Sequence, residues 1–353
     1  MRSTREILCV LLLVLASGCH LLAGYQEVSS LLPDGPEDQS PMLDAGADGS
    51  FGVDAGADGS FGVDAGADAY STDATPSDGS LDPAWEVIHT PVQFALKSIW
   101  GRSALDVYVG GDSGTLLHYD GTQWRTILGP PTNDSLVEMV GFTGALVVGT
   151  SKGAIYYQDN GGSWQELRQG AKDKIDSLWA FGLTDIYAVF AAGLYKYDGL
   201  VWKEVVVSSG CEPSDLWGGQ GLLYVSMKVC SSGGLWRYDG MSWAPMASGV
   251  FNALWGLSAT SVLAMGQELF HLNEAALSRL GPGTDARHLW GSSPTGSSPT
   301  LVYGVGSTVQ VFDGVGWSTV QAPFEPNYGG IWGSAPHLYV VGTEGKVLHY
   351  NGI

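Results

Sequence analysis

Beyond residue 97 the chain is a succession of short apolar runs separated by turns rich in Gly and Asp, and few runs are long enough for a helix. In the first unit this pattern predicts strands over residues 97–101, 106–110, 115–119 and 124–128. The Gly-Asp-Ser-Gly run at 111–114 and the Asp120-Gly121 pair supply turns. The unit then repeats. Ile99-Trp100-Gly101 returns as Leu178-Trp179-Ala180, Leu216-Trp217-Gly218, Leu254-Trp255-Gly256, Leu289-Trp290-Gly291 and Ile331-Trp332-Gly333. A further copy, Glu138-Met139-Val140-Gly141, is read with Met139 in the place of Trp. Successive marks then lie 39, 40, 38, 38, 35 and 42 residues apart, the length of a four-stranded propeller blade. The pattern predicts an all-β chain, a seven-bladed β-propeller over residues 83–353.

The turn between third and fourth strands recurs as Asp120-Gly121, Asp198-Gly199, Asp239-Gly240 and Asp313-Gly314. Each is followed by a tryptophan: Trp124, Trp202, Trp243 and Trp317. The fifth unit is degenerate, reading HLNEAAL at 271–277, and the last stops at Tyr350-Asn351-Gly352-Ile353. Its missing fourth strand is expected upstream, at Trp85-Glu86-Val87-Ile88. The N-terminal strand would thus complete the last blade, closing the ring and leaving no open edge.

This turn resembles the Asp-box of BNR-type propellers, most closely at Tyr157-Gln158-Asp159-Asn160-Gly161-Gly162-Ser163-Trp164; the other copies are one residue shorter between Asp and Trp. The resemblance extends to sialidase-like propellers and to the photosystem assembly-factor family, and it implies a fold rather than a function. In such families the Asp is structural, as expected for an Asp that bonds its own turn. Trp100, Trp179, Trp217, Trp255, Trp290 and Trp332 are accordingly expected to pack between blades.

The sialidase site that the resemblance would carry over needs three converging arginines. The propeller has only Arg102, Arg125, Arg168, Arg237, Arg279 and Arg287, spread over different strands. His118, His271 and His349 share one place on the third strands of three blades, too far apart for one metal ion. We find no nucleophile elbow, phosphate loop or Cys-x-x-Cys pair, so no catalytic residue, cofactor site or metal site is expected.

Charge divides the molecule further. The net charge of −20 is uneven: residues 20–84 hold thirteen acids and no Lys or Arg, while residues 83–353 carry 22 acids against 14 bases. No basic patch suits nucleic acid. Arg2 and Arg5 precede an apolar run from Ile7 to Ala16, a secretory-signal layout. Leu15-Ala16-Ser17-Gly18-Cys19 resembles a bacterial lipobox, implying cleavage after residue 18 and acylation of Cys19. Because His20 follows rather than Asp, the outer membrane is favoured. Residues 19–82, with their DAGADGSFGV repeats, are expected to be a disordered, self-repelling tether, with solvation preferred over calcium binding. Export leaves Cys211 and Cys230 as an expected disulfide. Both lie on connections of one face of blade four, a candidate recognition surface. The expected function is a membrane-anchored, surface-displayed or periplasmic, non-catalytic propeller with an unidentified protein or glycan partner. The alternatives are a glycoside hydrolase or lyase with an atypical site, and an assembly factor for a membrane complex.

Overall fold

The computed structural model describes residues 85–171, 173–208, 210–229, 234–293, 299–320 and 328–352. The chain divides into two compact units, Met1–Asp73 and Ala74–Ile353, and everything described belongs to the second. The expected signal, Cys19, the tether and Cys230 lie outside the described residues. No helix among the described residues is long and apolar enough to cross a membrane.

Seven antiparallel four-stranded sheets make up a seven-bladed propeller. Blade one is Leu96–Ser103, Asp106–Gly111, Leu116–Tyr119 and Trp124–Thr126, close to the ranges expected from the apolar pattern. Each innermost strand abuts that of the next blade, and the ring closes where Gly330–Ser334 meets Leu96–Ser103. Second strands are sandwiched between neighbouring sheets. Ala145–Thr150 and Ser261–Gly266 are therefore buried at every residue and read as unbroken apolar runs rather than alternating ones. The fourth strands face solvent and shrink to three or four residues in blades one, two, three and six.

The closing strand is where the missing unit required it. Trp85–His89 pairs antiparallel with Lys346–Tyr350, Trp85 opposite Tyr350 and Ile88 opposite Val347. The two ends of the chain thereby rebuild one turn motif. Tyr119, Tyr197 and Tyr238 lie on Trp124, Trp202 and Trp243 at ring separations of 5.2, 5.3 and 5.0 Å, and Tyr350 lies on Trp85 at 5.0 Å. Burying each such pair contributes on the order of 2 kcal/mol.

Between blades, each inner-strand tryptophan lies over the glycine that follows the corresponding tryptophan of the next blade. A methyl group on Gly141 would come within 2.3 Å of Trp100, one on Gly218 within 2.4 Å of Trp179, one on Gly256 within 2.1 Å of Trp217, and one on Gly101 within 2.6 Å of Trp332. Trp255 and Trp290 add indole N–H bonds to the Gly291 and Gly333 carbonyls, at 3.1 and 3.0 Å.

This register corrects one expectation. Trp100 pairs with Tyr108 one residue before Gly101, and in blade two the residue one before Gly141 is Val140, opposite Val147. Val140, not Met139, stands at the tryptophan position; Met139 corresponds to Ile99. Valine leaves room that an indole would fill, and the next blade uses that room. Its inner strand has Ala180 where the others have glycine, and Val140 and Ala180 share one core cluster.

Candidate functional site

Two ends of the inner strands differ in what they present. At the turn end, Asp residues are consumed by their own backbone. Asp198 Oδ1 accepts the N–H groups of Leu200 and Val201, both at 3.0 Å, and Asp239 Oδ1 those of Met241 and Ser242 at 2.9 and 2.8 Å. These donors hold the carboxyls below the usual carboxylate range, with Lys203 the largest contribution at Asp198 and the Ser242 N–H at Asp239. Gly199 follows at φ +95°, a conformation natural to glycine.

At the other end, the loops between second and third strands and the entries to the first strands surround a cavity of about 900 Å³ at the channel mouth. Its wall mixes cations and acids. Asp176 is shared by Lys174 at 3.5 Å and Lys228 at 3.4 Å, while Lys97 stands 3.8 Å from Asp112. Asp285 accepts the Ser307 hydroxyl and, at 3.1 Å, its N–H. Arg287 is exposed, and its guanidinium makes no hydrogen bond or ion pair among the described residues.

The position two residues before each inner-strand tryptophan, or before Val140, runs Ser98, Glu138, Ser177, Asp215, Ala253, His288 and Gly330 around the ring. Titratable groups thus occupy blades two, four and six. Asp215 ties three blades together: its oxygens accept the Ser177 hydroxyl at 2.8 Å, the Leu216 N–H at 2.8 Å and the Leu254 N–H at 2.7 Å. Burial pushes it up to about 6 despite those donors. The Glu138 side chain makes no hydrogen bond among the described residues, and burial followed by the neighbouring Asp215 charge pushes its carboxyl well above the usual range. Burial pushes the His288 imidazole down to about 4, with Lys174 and Arg287 acting in the same direction. None of these three was singled out by motif. Their signal is the departure from small residues at one repeated place, visible only once the tryptophan register is known.

The other expected candidates fall elsewhere. Of the six arginines only Arg287 lines the mouth. Arg102 bonds Asp106 and Tyr108, Arg125 lies 3.2 Å from Asp120, and Arg279 pairs with Glu268 at 2.5 Å. A three-arginine cluster does not form. His118, His271 and His349 keep equivalent places, each bonded to the residue that opens or nearly opens its blade's second strand: Asp106 at 2.7 Å, Ser261 at 2.7 Å and His337 at 2.8 Å. No group of three or more His, Cys, Asp or Glu able to hold a metal ion occurs among the described residues. Cys211 packs, partly buried, against the core between blades three and four. On that blade Ser214 and Lys228 line the same mouth, so the face singled out from the cysteine loops borders the channel.

No family model matches the chain, and no curated protein matches it in sequence. Solved structures do resemble it. YCF48 from Cyanidioschyzon merolae superposes with a TM-score of 0.57 at 15% identity, over 76% of this chain and 99% of that one. Virginiamycin B lyase from Staphylococcus aureus gives 0.62 at 9%, over 76% and 99%. The extracellular domain of the BT4673 one-component system from B. thetaiotaomicron gives 0.57 at 14%, over 75% of this chain and 39% of that one. These likenesses are of fold alone.

Proposed function

We propose that the protein is a lipid-anchored, non-catalytic propeller, displayed at the cell surface or in the periplasm, that receives a segment of a partner protein at its channel mouth. The observation that carries this reading is the mouth itself, an open polar cavity in which the Arg287 and Glu138 side chains have no hydrogen-bond partner among the described residues. Charged groups that converge on a concave surface without being spent on one another suit a polar ligand. A protein is favoured over a glycan because the inner-strand indoles are spent on the next blade's glycines and do not offer stacking faces. YCF48, a propeller of the same fold, has been solved bound to D1 peptide, a precedent for peptide recognition on this architecture. A non-catalytic role is preferred because the serine hydroxyls that rest on carboxylates in this wall, Ser307 on Asp285 and Ser135 on Asp112 at 2.7 Å, have no histidine bonded to them among the described residues. The acylated Cys19 and the 19–82 tether would set the platform off the membrane, with Cys211 and Cys230 paired in the loops beside it.

The full chain carrying Cys19→Ser, and so soluble, should bind members of a peptide array and fail to turn over substrates in a glycosidase and lyase screen. Binding should be lost in Arg287→Glu. A ligand found only on glycan arrays, or turnover of any substrate, would replace this reading. The same Cys19→Ser chain should lose label from a palmitate analogue that the parent incorporates.

A further inference from the structure

Resting on that reading, we infer that the channel mouth is a seat for a carboxylate of the bound segment, gripped by Arg287 and Lys174. The charges at the mouth are not evenly matched. Lys174 and Lys228 share the single carboxylate of Asp176 at 3.5 and 3.4 Å, and Arg287 has Asp285 nearby but no partner within ion-pair distance among the described residues. Along blades three, four and six the three cations thus exceed Asp176 and Asp285 by one charge while Asp215 is protonated, in a domain that is acidic as a whole. Lys174 is the charge common to the ring: it acts on Glu138 in blade two and, together with Arg287, on His288 in blade six. A ligand carboxylate drawn to Lys174 and Arg287 would rest beside both side chains. A guanidinium grips a carboxylate through two parallel N–H bonds, which gives such a seat geometric preference as well as charge.

Glu138 then makes the seat proton-linked. Lys174 and Asp176 of blade three and Asp215 of blade four act on Glu138, and the same mouth is lined by the Lys97–Asp112 pair of blade one, Lys228 of blade four, and Asp285, Arg287 and His288 of blade six. As a carboxylic acid it leaves the surplus intact and can donate to the incoming anion. As a carboxylate it neutralises Lys174 and repels the ligand. Asp215 ionises in the same direction, and His288 is already neutral above about 4. Because the bound anion favours protonated Glu138, affinity falls as pH rises through the Glu138 titration, by up to roughly tenfold per pH unit.

The probes are a short acetylated oligoglutamate, its oligoglutamine counterpart and an oligogalacturonate, titrated calorimetrically into the full-length Cys19→Ser chain between about pH 5 and about pH 8. Oligoglutamate should bind and oligoglutamine should not. Arg287→Gln should weaken binding roughly tenfold or more at every pH. Glu138→Gln, neutral and of equal size, should bind at low pH and lose most of the pH slope. Unchanged melting temperatures would show that both variants fold. Equal binding of the two peptides, no effect of Arg287→Gln, a full slope in Glu138→Gln, or no oligoglutamate binding at any pH overturns the seat. A peptide ligand from the array that oligoglutamate fails to displace would sink the seat while leaving the platform reading intact. Galacturonate binding in preference to oligoglutamate would keep the anion seat and overturn the protein ligand.

Discussion

Asp198 and Asp215 are the same residue with opposite fates. Asp198 sits in a turn that recurs around the ring, its carboxyl held low by Lys203 and by backbone N–H donors at the surface. Asp215 sits at a place that is Ser, Ala or Gly in four other blades, where burial raises it to about 6. The turn aspartates repeat because every blade needs the turn closed. Nothing in blade geometry needs an acid at 138 and 215 or an imidazole at 288. In a repeat protein, what recurs belongs to the fold, and what departs from the recurrence is free to serve a ligand.

The strongest way to break this comparison is to remove a recurring element. Deleting residues 83–90 takes away Trp85 from the Tyr350 stack and leaves Lys346–Tyr350 as an open edge. We expect loss of the cooperative thermal transition together with aggregation in size-exclusion chromatography. A truncated protein that melts like its parent would show that the motif split between the chain ends is dispensable.

An exception within a recurring position sharpens the comparison. Val140 and Ala180 replace the Trp and Gly found at the other blade interfaces, and either reversion alone is mismatched. Val140→Trp should destabilise by about 1–3 kcal/mol, because the indole meets the Ala180 methyl. Adding Ala180→Gly should recover much of that loss, a coupling readable from a double-mutant cycle in urea. Additive effects would mean that the two positions do not meet.

These positions also show what the sequence made legible. Blade number, strand order and the closing strand follow from an inner-strand mark, tryptophan in six of the seven blades, recurring every 35–42 residues and from a final unit that stops at its turn. Those signals are local, because a turn and a packing indole are each specified within a few residues. Bulk alone puts blade two one residue out of register, because the Met139 side chain resembles an indole in size while Val140 does not; only the glycine at 141 marks the true position. The channel ring was hidden for a different reason. Glu138 and His288 line one mouth from separate blades and Asp215 acts on Glu138 from a third, a juxtaposition made by the closed ring that no single motif encodes.

The smallest expected effect tests the two aspartate environments directly, through the pH dependence of stability. Asp215 is raised from its ordinary 3.8 to about 6 in the folded protein, so between those values the folded state holds a proton that the unfolded chain has released. Stability should therefore fall as pH rises across that window and level off above it. For Asp239 the folded value lies below 3.8, so its contribution is present above that point and lost as pH falls through the depressed value. Asp215→Asn keeps the size of the side chain and removes the titration. Its stability, measured by urea denaturation, should lack a decline of about 1 kcal/mol that the parent shows between about pH 4 and about pH 6. Asp239→Asn should preserve that decline and differ from the parent chiefly in the more acidic range. If the parent and Asp215→Asn profiles run parallel from pH 4 to 6, the channel does not hold this carboxyl protonated, and the two aspartates do not differ in the way their surroundings require.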